Sequence, residues 1–358
     1  MKDWHKLGIA LGGFLAGRAI AREILASKYS FHDKVVLVTG GSRGLGLVMA
    51  RQLAEQGARI AICARDEEEL EAAHHQLRAH GAWDVLTIQC DITRATDISN
   101  AVEKVSNYFH GLDVLINNAG QILVGPQENM SIKDYQELMK IHFYAPLRFM
   151  QAAIPLMEEQ GEGRIINISS IGGKISFPHL LPYSTSKFAL TALSEGMYTS
   201  LRKKNIIVTT ACPGLMRTGS PRNSRVKGDY EKEYRWFKIS DSLPVLSANA
   251  EKAAAKILKA CRRGTPEIIL TLPARLANFV YGISPSLMLR MFEYADSHML
   301  PEGDGNSASS YGYETKYEKE RTAWTRLTDE AARKNNEMEI ARLHLPTNGN
   351  GNGNGEAH

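Results

Sequence analysis

Four cysteines occur in 358 residues, and none forms a CxxC pair or a metal-ligand spacing. A disulfide scaffold and a thiolate metal site are therefore excluded as organising features. Cys63, Cys90 and Cys212 each end an apolar run and are expected to be buried free thiols, which fits a reducing compartment. A large charge excess is also missing. Lys and Arg outnumber Asp and Glu by only 4, which gives no reason to invoke a nucleic-acid partner. Near the N-terminus an apolar run of 11 residues, Leu7 to Gly17, is followed by Arg18, Arg22 and Glu23. It falls short of the roughly 20 apolar residues that span a bilayer. A hydrophobic content of 43% is ample for a core, and the length suits one large domain or two modest ones.

What is present begins with Val35-Val36-Leu37-Val38-Thr39-Gly40-Gly41-Ser42-Arg43-Gly44-Leu45-Gly46. A β-branched run ends in clustered glycines, and a helical pattern (Leu47, Val48, Leu53, Ala54) follows at once. Strand, glycine turn and helix together make a phosphate-binding hypothesis. Residues without Cβ let the backbone approach a pyrophosphate, and the helix N-terminus offers unpaired N–H groups and a positive dipole end.

Strand and helix patterns then alternate. Ala58 to Cys63, Val85 to Cys90, Leu112 to Ile116, Ile165 to Ser170, Ile206 to Cys212 and Glu267 to Leu272 read as strands, with a charged helix at Glu67 to His80. Such units predict right-handed crossovers and a parallel sheet with helices on both faces. In a dinucleotide fold, a carboxylate ending the second strand binds the ribose 2′-hydroxyl of NAD. Here that place falls on Ala64, followed by Arg65, and Arg43 lies within the glycine turn. Two guanidinium groups suit a 2′-phosphate. NADP(H) is therefore the expected cofactor, with NAD(H) as the alternative; Asp66 is expected to cap the next helix.

Tyr183 and Lys187 are four residues apart in a helical run, 13 residues and more beyond Ser170. The spacing puts both side chains on one face. A free phenol has a pKa near 10, and an adjacent ammonium favours its ionised form. Tyr183 is thus a candidate general acid in carbonyl reduction and base in alcohol oxidation.

Thr39-Gly40-x-x-x-Gly44-x-Gly46, Asn117-Asn118-Ala119-Gly120, Ser170, Tyr183-x-x-x-Lys187 and Pro213-Gly214-x-x-x-Thr218 together resemble the classical short-chain dehydrogenase/reductase (SDR) family over residues 31 to 272. The resemblance implies a Rossmann-type doubly wound α/β fold, a seven-stranded parallel sheet of order 3-2-1-4-5-6-7. It implies that Ser170 bonds the substrate oxygen, Tyr183 exchanges the proton and Lys187 reaches the nicotinamide ribose. Gly40, Ser42, Arg43, Gly44, Leu45 and Gly46 then hold the phosphates, and Asp91 and Ile92 flank the adenine. Asn118, Ala119 and Gly120 cap the fourth strand. Pro213, Gly214 and Leu215 line the nicotinamide, with Thr218 near its carboxamide. One position departs: where the family usually has asparagine, this chain has His142. It is either a variant of the relay that links the lysine to solvent or an ordinary helix histidine. No metal is expected.

Four segments follow: an apolar helical one (1–30), the NADP-binding catalytic domain (31–272), an extension (273–345) and an Asn-Gly tail (346–358) that cannot form a core. Residues 7–26 fit a helix packed on the protein or a second subunit, or a peripheral membrane contact. A signal peptide fits less well, because a nicotinamide-dependent core suits the cytosol. Ser220 to Leu246 is expected to form a mobile lid over the substrate. The uncharged run Leu276 to Leu289, broken by Pro285, suits a substrate mouth, a subunit interface or a membrane surface. Residues 313–343, rich in charge, suggest a solvated or loosely packed helix. The expected function is interconversion of a ketone or aldehyde with an alcohol, on an apolar small-molecule substrate, by a cytoplasmic enzyme that can also be membrane-associated and homo-oligomeric. The alternatives are a nucleotide-sensing or scaffold protein of the same fold, and a membrane-surface ketoreductase for lipids, steroids or retinoids.

Overall fold

A computed structural model describes residues 29–244, 247–319 and 325–338, with Gly13 and Gly17. Most of the N-terminal apolar segment and the whole Asn-Gly tail lie outside the described residues.

The chain builds β1 (Val35–Thr39), α1 (Gly44–Ala54), β2 (Arg59–Ala64), α2 (Glu67–Ala79), β3 (Val85–Gln89), α3 (Ala95–Phe109), β4 (Val114–Asn117) and the short β5 (Leu123–Val124). Then come α4 (Ile132–Met139), α5 (Ala145–Gln160), β6 (Gly163–Ile168), α6 (Leu181–Leu201) and β7 (Ile206–Cys212). The main sheet closes with β11 (Glu267–Ile269) after β8 (Met216–Arg217), β9 (Arg225–Lys227), α7 (Tyr230–Ser242), β10 (Ala248–Asn249) and α8 (Ala250–Arg262). Its order is β3-β2-β1-β4-β6-β7-β11, and every pairing is parallel. This is the order that the family resemblance implies, and the parallel pairing is what the alternation of strand and helix predicts.

Apolar side chains leave both faces of the sheet. Val36, Val38, Ile60 and Ile62 pack with Leu47, Leu53, Ile257 and Leu258 of α1 and α8. Leu37, Leu115 and Ile165 pack with Ile98, Val105, Phe149 and Met150 of α3 and α5. The strands are hydrophobic on both sides because helices cover both. The strand order reverses between β1 and β4, and the cleft at their C-terminal ends is where such a sheet binds ligands. All four cysteines are buried and free.

Four expectations change. The last strand stops at Ile269, not Leu272, because Thr271 caps α9 (Leu272–Ile283): its hydroxyl accepts from the Ala274 N–H at 3.3 Å. Pro285 does not simply break the apolar run. It starts α10 (Pro285–Met299), with Ser284 as the cap. The segment expected to be a mobile lid is braced instead. β9 pairs with β5 and with β12 (Ser309–Tyr311). Buried Lys238 of α7 lies 2.6 Å from Glu318 and 2.8 Å from Asp329. Glu318 also bonds Arg222 and Tyr234. Nor are residues 325–338 loosely solvated. Following α11 (Lys316–Lys319), α12 (Arg326–Lys334) buries Thr328 and Ala332, and Asn335, Asn336 and Glu337 beyond it are buried too.

Candidate active site

The end of β6 and the start of α6 set the reactive geometry. Ser170 leaves β6 as the cap of a single turn, its hydroxyl accepting from the Gly172 N–H at 3.0 Å. The Ile171 N–H donates to the Pro213 carbonyl at 2.7 Å, tying this turn to the loop after β7. Ser169 acts structurally, since its hydroxyl donates to the Lys187 carbonyl at 3.1 Å and pairs with Thr191 at 2.7 Å. The side chains of Tyr183 and Lys187 share a face of α6, with the Lys187 Nζ 5.7 Å from the centre of the phenol ring. Lys187 Nζ also donates to the Ile168 carbonyl at 2.9 Å.

Burial dominates the electrostatics of this cluster. It raises the Tyr183 phenol above its ordinary value, against a hydrogen bond with Ser170 that lowers it. It also holds the Lys187 ammonium down at about 7. The expected lowering of the phenol by the lysine is therefore not what these groups produce on their own: both charged forms lose more hydration than one contact at this distance returns.

His142 sits in a single π-helical turn, Lys140–Tyr144, where α4 runs into α5. Such turns often mark functional sites. Its ring meets Tyr183 edge-on at 5.4 Å. Nε2 accepts from the Gln121 N–H at 3.1 Å, so Nδ1 carries the proton and donates to Ser186 Oγ at 2.8 Å. Ser186 in turn donates to the Tyr183 carbonyl at 2.8 Å. Burial, then the nearby lysine, pushes His142 well below the usual histidine range, so it is neutral. A proton passed to Nε2 would have to displace a main-chain amide, which makes His142 a brace more readily than a relay. We expect His142→Ala to cost about 1–3 kcal/mol of stability through unpaired buried groups, and His142→Asn less. Turnover should fall far less than when Tyr183 is changed. An equal rate loss in both variants would put the imidazole in the proton path.

The glycine turn packs against the β4 loop. The Thr39 hydroxyl accepts from the N–H groups of Asn118 and Ala119 at 3.0 and 3.1 Å, and the Asn118 amide donates to the carbonyls of Thr39 and Gly40. Asn118 thus shapes the cradle rather than reaching into it. A Cβ at Gly46 would lie 2.2 Å from the Gly40 oxygen, so only glycine lets α1 start here. Asp66 caps α2 as expected, accepting from the Glu69 N–H at 2.9 Å. Asp91 accepts from Thr93 at 3.0 and 2.8 Å, and Thr218 donates to Ser220 at 2.9 Å.

One cavity of about 1140 Å³ joins these parts. It is lined by Gly40, Ser42, Arg43, Gly44 and Leu45, by Arg65, Asp91 and Ile92, and by Asn118, Ala119, Gly120 and His142. Ser170, Tyr183, Lys187, Pro213, Gly214, Leu215 and Thr218 complete the set. Gly46 alone among the expected residues lies beneath the lining. Phe177, Trp236, Phe237, Phe292, Met299 and Leu300 form an apolar wall.

A sequence model described as "short chain dehydrogenase" matches residues 34–228. The chain belongs to the short-chain dehydrogenase family. This dehydrogenase is 29% identical over 299 residues to dehydrogenase/reductase SDR family member 7B of Danio rerio, covering 80% of the chain and 94% of that protein. It is 33% identical over 218 residues to SDR family member 4 of Rattus norvegicus, covering 60% and 78%. Among solved structures, a short-chain dehydrogenase from Streptomyces avermitilis superposes with a TM-score of 0.64 at 29% identity, covering 75% of this chain and 98% of that one. The L-sorbose reductase of Gluconobacter frateurii, complexed with NADPH and L-sorbose, superposes at 0.60 with 25% identity, covering 68% and 96%. The chain is an oxidoreductase of this family.

Several lining residues carry no motif. Glu69 is buried under the glycine turn, accepting from Ser42 at 2.8 Å and pairing with Arg43 at 3.1 Å. Asp241 of α7 accepts from the Met216 N–H at 3.1 Å, and burial pushes it up to about 8, so it is protonated at neutral pH. Glu337 reaches the same cavity from the far end of the chain. Glu69 and Asp241 each sit on a helix whose charged residues read as solvent-facing, and Glu337 has no local signal.

Proposed function

We propose that this dehydrogenase interconverts an apolar ketone or aldehyde with its alcohol, using NADP(H). The observation that carries the reading is the convergence of Ser170, Tyr183 and Lys187 on one cavity that also takes in the glycine turn. The turn fits a dinucleotide: α1 begins there, and the missing side chain at Gly46 lets the helix pack against the Gly40 carbonyl and Asn118. Reduced nicotinamide, when bound, supplies the hydride that the carbonyl carbon accepts. The protein's part is acid–base and positional. Ser170 offers its hydroxyl to the substrate oxygen, Tyr183 delivers the proton to that oxygen, and Lys187 holds positive charge close to the phenol. In alcohol oxidation Tyr183 takes the proton back. Arg43 and the exposed Arg65 border the place of a 2′-phosphate, which supports NADP(H) over NAD(H). Asp66, next to Arg65, uses one carboxylate oxygen to cap its own helix.

Turnover across a panel of apolar ketones and aldehydes tests the reading, with NADPH and NADH in parallel. We expect kcat/KM with NADPH to exceed that with NADH by about tenfold or more, the value of a charge-assisted bond. Arg65→Ala should shrink that ratio. A nucleotide that binds without being consumed by any substrate would favour the sensor alternative.

A second reading rests on α9 and α10. Leu272, Leu276, Phe279 and Ile283 recur along one side of α9, each at least 60% exposed. Phe292 and Met299 of the following helix, α10, line the cavity. An apolar stripe of this kind suits a lipid surface, and its position favours lipid-soluble ketones as substrates. Sedimentation with phospholipid vesicles should deplete the wild-type protein, and the double variant Leu276→Ser, Phe279→Ser should stay in solution. Equal partition of the two would remove this reading.

A further inference from the structure

The C-terminal segment lies across the phosphate end of the cleft. The Gly44 N–H, at the first position of α1, donates to the Asn335 carbonyl at 2.9 Å. The Asn336 amide donates to the Ser42 carbonyl at 3.2 Å, and the Asn335 amide to the Thr218 carbonyl at 3.3 Å. The Asn335 side-chain oxygen accepts from Arg51 at 2.7 Å. Residues 335–337 thus strap the glycine turn to the residue after β8, Thr218. The carboxylate of Glu337 packs against Gly44 so closely that a Cβ there would lie 2.5 Å from its Oε1. Gly44 has a φ of +56°, the left-handed region that favours glycine, so the turn keeps open the space the carboxylate takes. Its Oε2 lies 3.7 Å from Arg43 Nε and accepts from the Asn223 amide.

We propose that Glu337 is a resident anion in the phosphate cradle, and that the dinucleotide must displace it to bind. The inference rests on the dinucleotide reading of the same site. Its physical basis is charge. The N-terminal end of α1 and the Arg43 guanidinium favour an anion, and the chain supplies one. Arg43 already faces Glu69 from α2 as well; burial raises the Glu337 carboxyl above its ordinary range, against Arg43, the Asn223 amide and Arg222, which lower it. A phosphate drawn to the turn would need the space that the Glu337 carboxyl fills against Gly44, so Glu337 leaves when phosphate arrives. The strap can leave without unfolding its support. α12 is anchored upstream by Lys334 to Glu251 at 2.7 Å and by Asp329 to Lys238 at 2.8 Å. Glu337 is thereby an affinity-determining residue for the cofactor, because a site occupied by its own side chain binds ligand only in the fraction of molecules where that side chain has moved away.

The test is a fluorescence titration of NADPH into the full chain, its Glu337→Gln variant and its Asn335→Ala variant. Circular dichroism and melting verify that each variant is folded. Removing the competing charge should tighten NADPH binding by about fivefold or more in Glu337→Gln. Hydrogen exchange of the amides of residues 335–338 should speed up when NADPH is added to the wild-type chain. Unchanged or weaker binding by Glu337→Gln overturns the inference, and so does slower exchange on NADPH addition, which would make the strap a clasp over bound nucleotide. If neither the wild-type chain nor either variant binds NADPH or NADH, the dinucleotide reading falls and takes this inference with it. If the wild-type chain binds and Glu337→Gln merely matches it, the inference alone falls.

Discussion

Tyr183→Phe should abolish turnover while leaving nucleotide affinity within about threefold. The variant removes one oxygen from a ring whose other contacts are packing: the His142 edge at 5.4 Å and the Lys187 side chain above its face. The lost oxygen is the proposed proton donor, and general acid catalysis of this kind contributes about 10²–10⁴ in rate. Neither Ser170 nor His142, its polar neighbours, can take its place. Ser170 has an ordinary hydroxyl, engaged with Gly172. His142 has both ring nitrogens bonded. Because burial raises the phenol above its ordinary value of 10.0, Tyr183 stays protonated across the neutral range. Reduction needs that proton and should not be limited by Tyr183 ionisation there. Alcohol oxidation needs the phenolate, so its rate should climb with pH. Steady-state profiles in both directions, beside NADPH titrations of the variant, check this. A variant retaining a tenth of wild-type turnover would remove the phenol from the chemistry.

The residues that can be read ahead of the structure are those whose signal is local. Val35 to Thr39 and Ile206 to Cys212 are strands because continuous β-branched runs are buried on both faces. The glycine turn announces itself because only glycine tolerates a neighbour where its Cβ would be, as at Gly46. The Tyr183–Lys187 pair is legible because a helix turns its fourth residue back to the same side. What stays hidden has long-range causes. β5, β9 and β12 are two or three residues each, too short to show a period, and they form a sheet only because distant segments meet. Residues 335–337 have polar side chains that read as solvated. They are buried because Arg51, Gly44 and Thr218, far away in sequence, supply partners. The direction of the Tyr183 shift is hidden for a related reason: proximity to a lysine is written in the spacing, whereas the depth at which both are buried is a property of the assembled fold.

Lys187→Met should likewise remove turnover, yet leave the protein more stable than the wild type. Lys187 is 4% exposed, with its ammonium donating to the Ile168 carbonyl. Burial lowers it from 10.5 to about 7, and each decade of such displacement corresponds to about 1.4 kcal/mol against the charged form. The sign follows from linkage. Between about 7 and 10.5 the unfolded chain holds a proton that the folded chain does not, so stability rises with pH through that window. The penalty is complete below about 7 and absent above 10.5. Methionine has a similar length and nothing to desolvate, so it removes the penalty and leaves only the Ile168 carbonyl without its partner. A net gain of about 1–3 kcal/mol is expected at pH 6–7, after the lost hydrogen bond is counted, and it should fade as the pH approaches 10. The folded state thus bears a destabilising lysine where the proposed chemistry needs a positive charge, as expected where activity and stability conflict. Melting temperatures of both proteins from pH 6 to 10 decide the matter. A destabilised Lys187→Met at neutral pH would mean that the ammonium is a structural tie, and that its proximity to Tyr183 reflects packing alone.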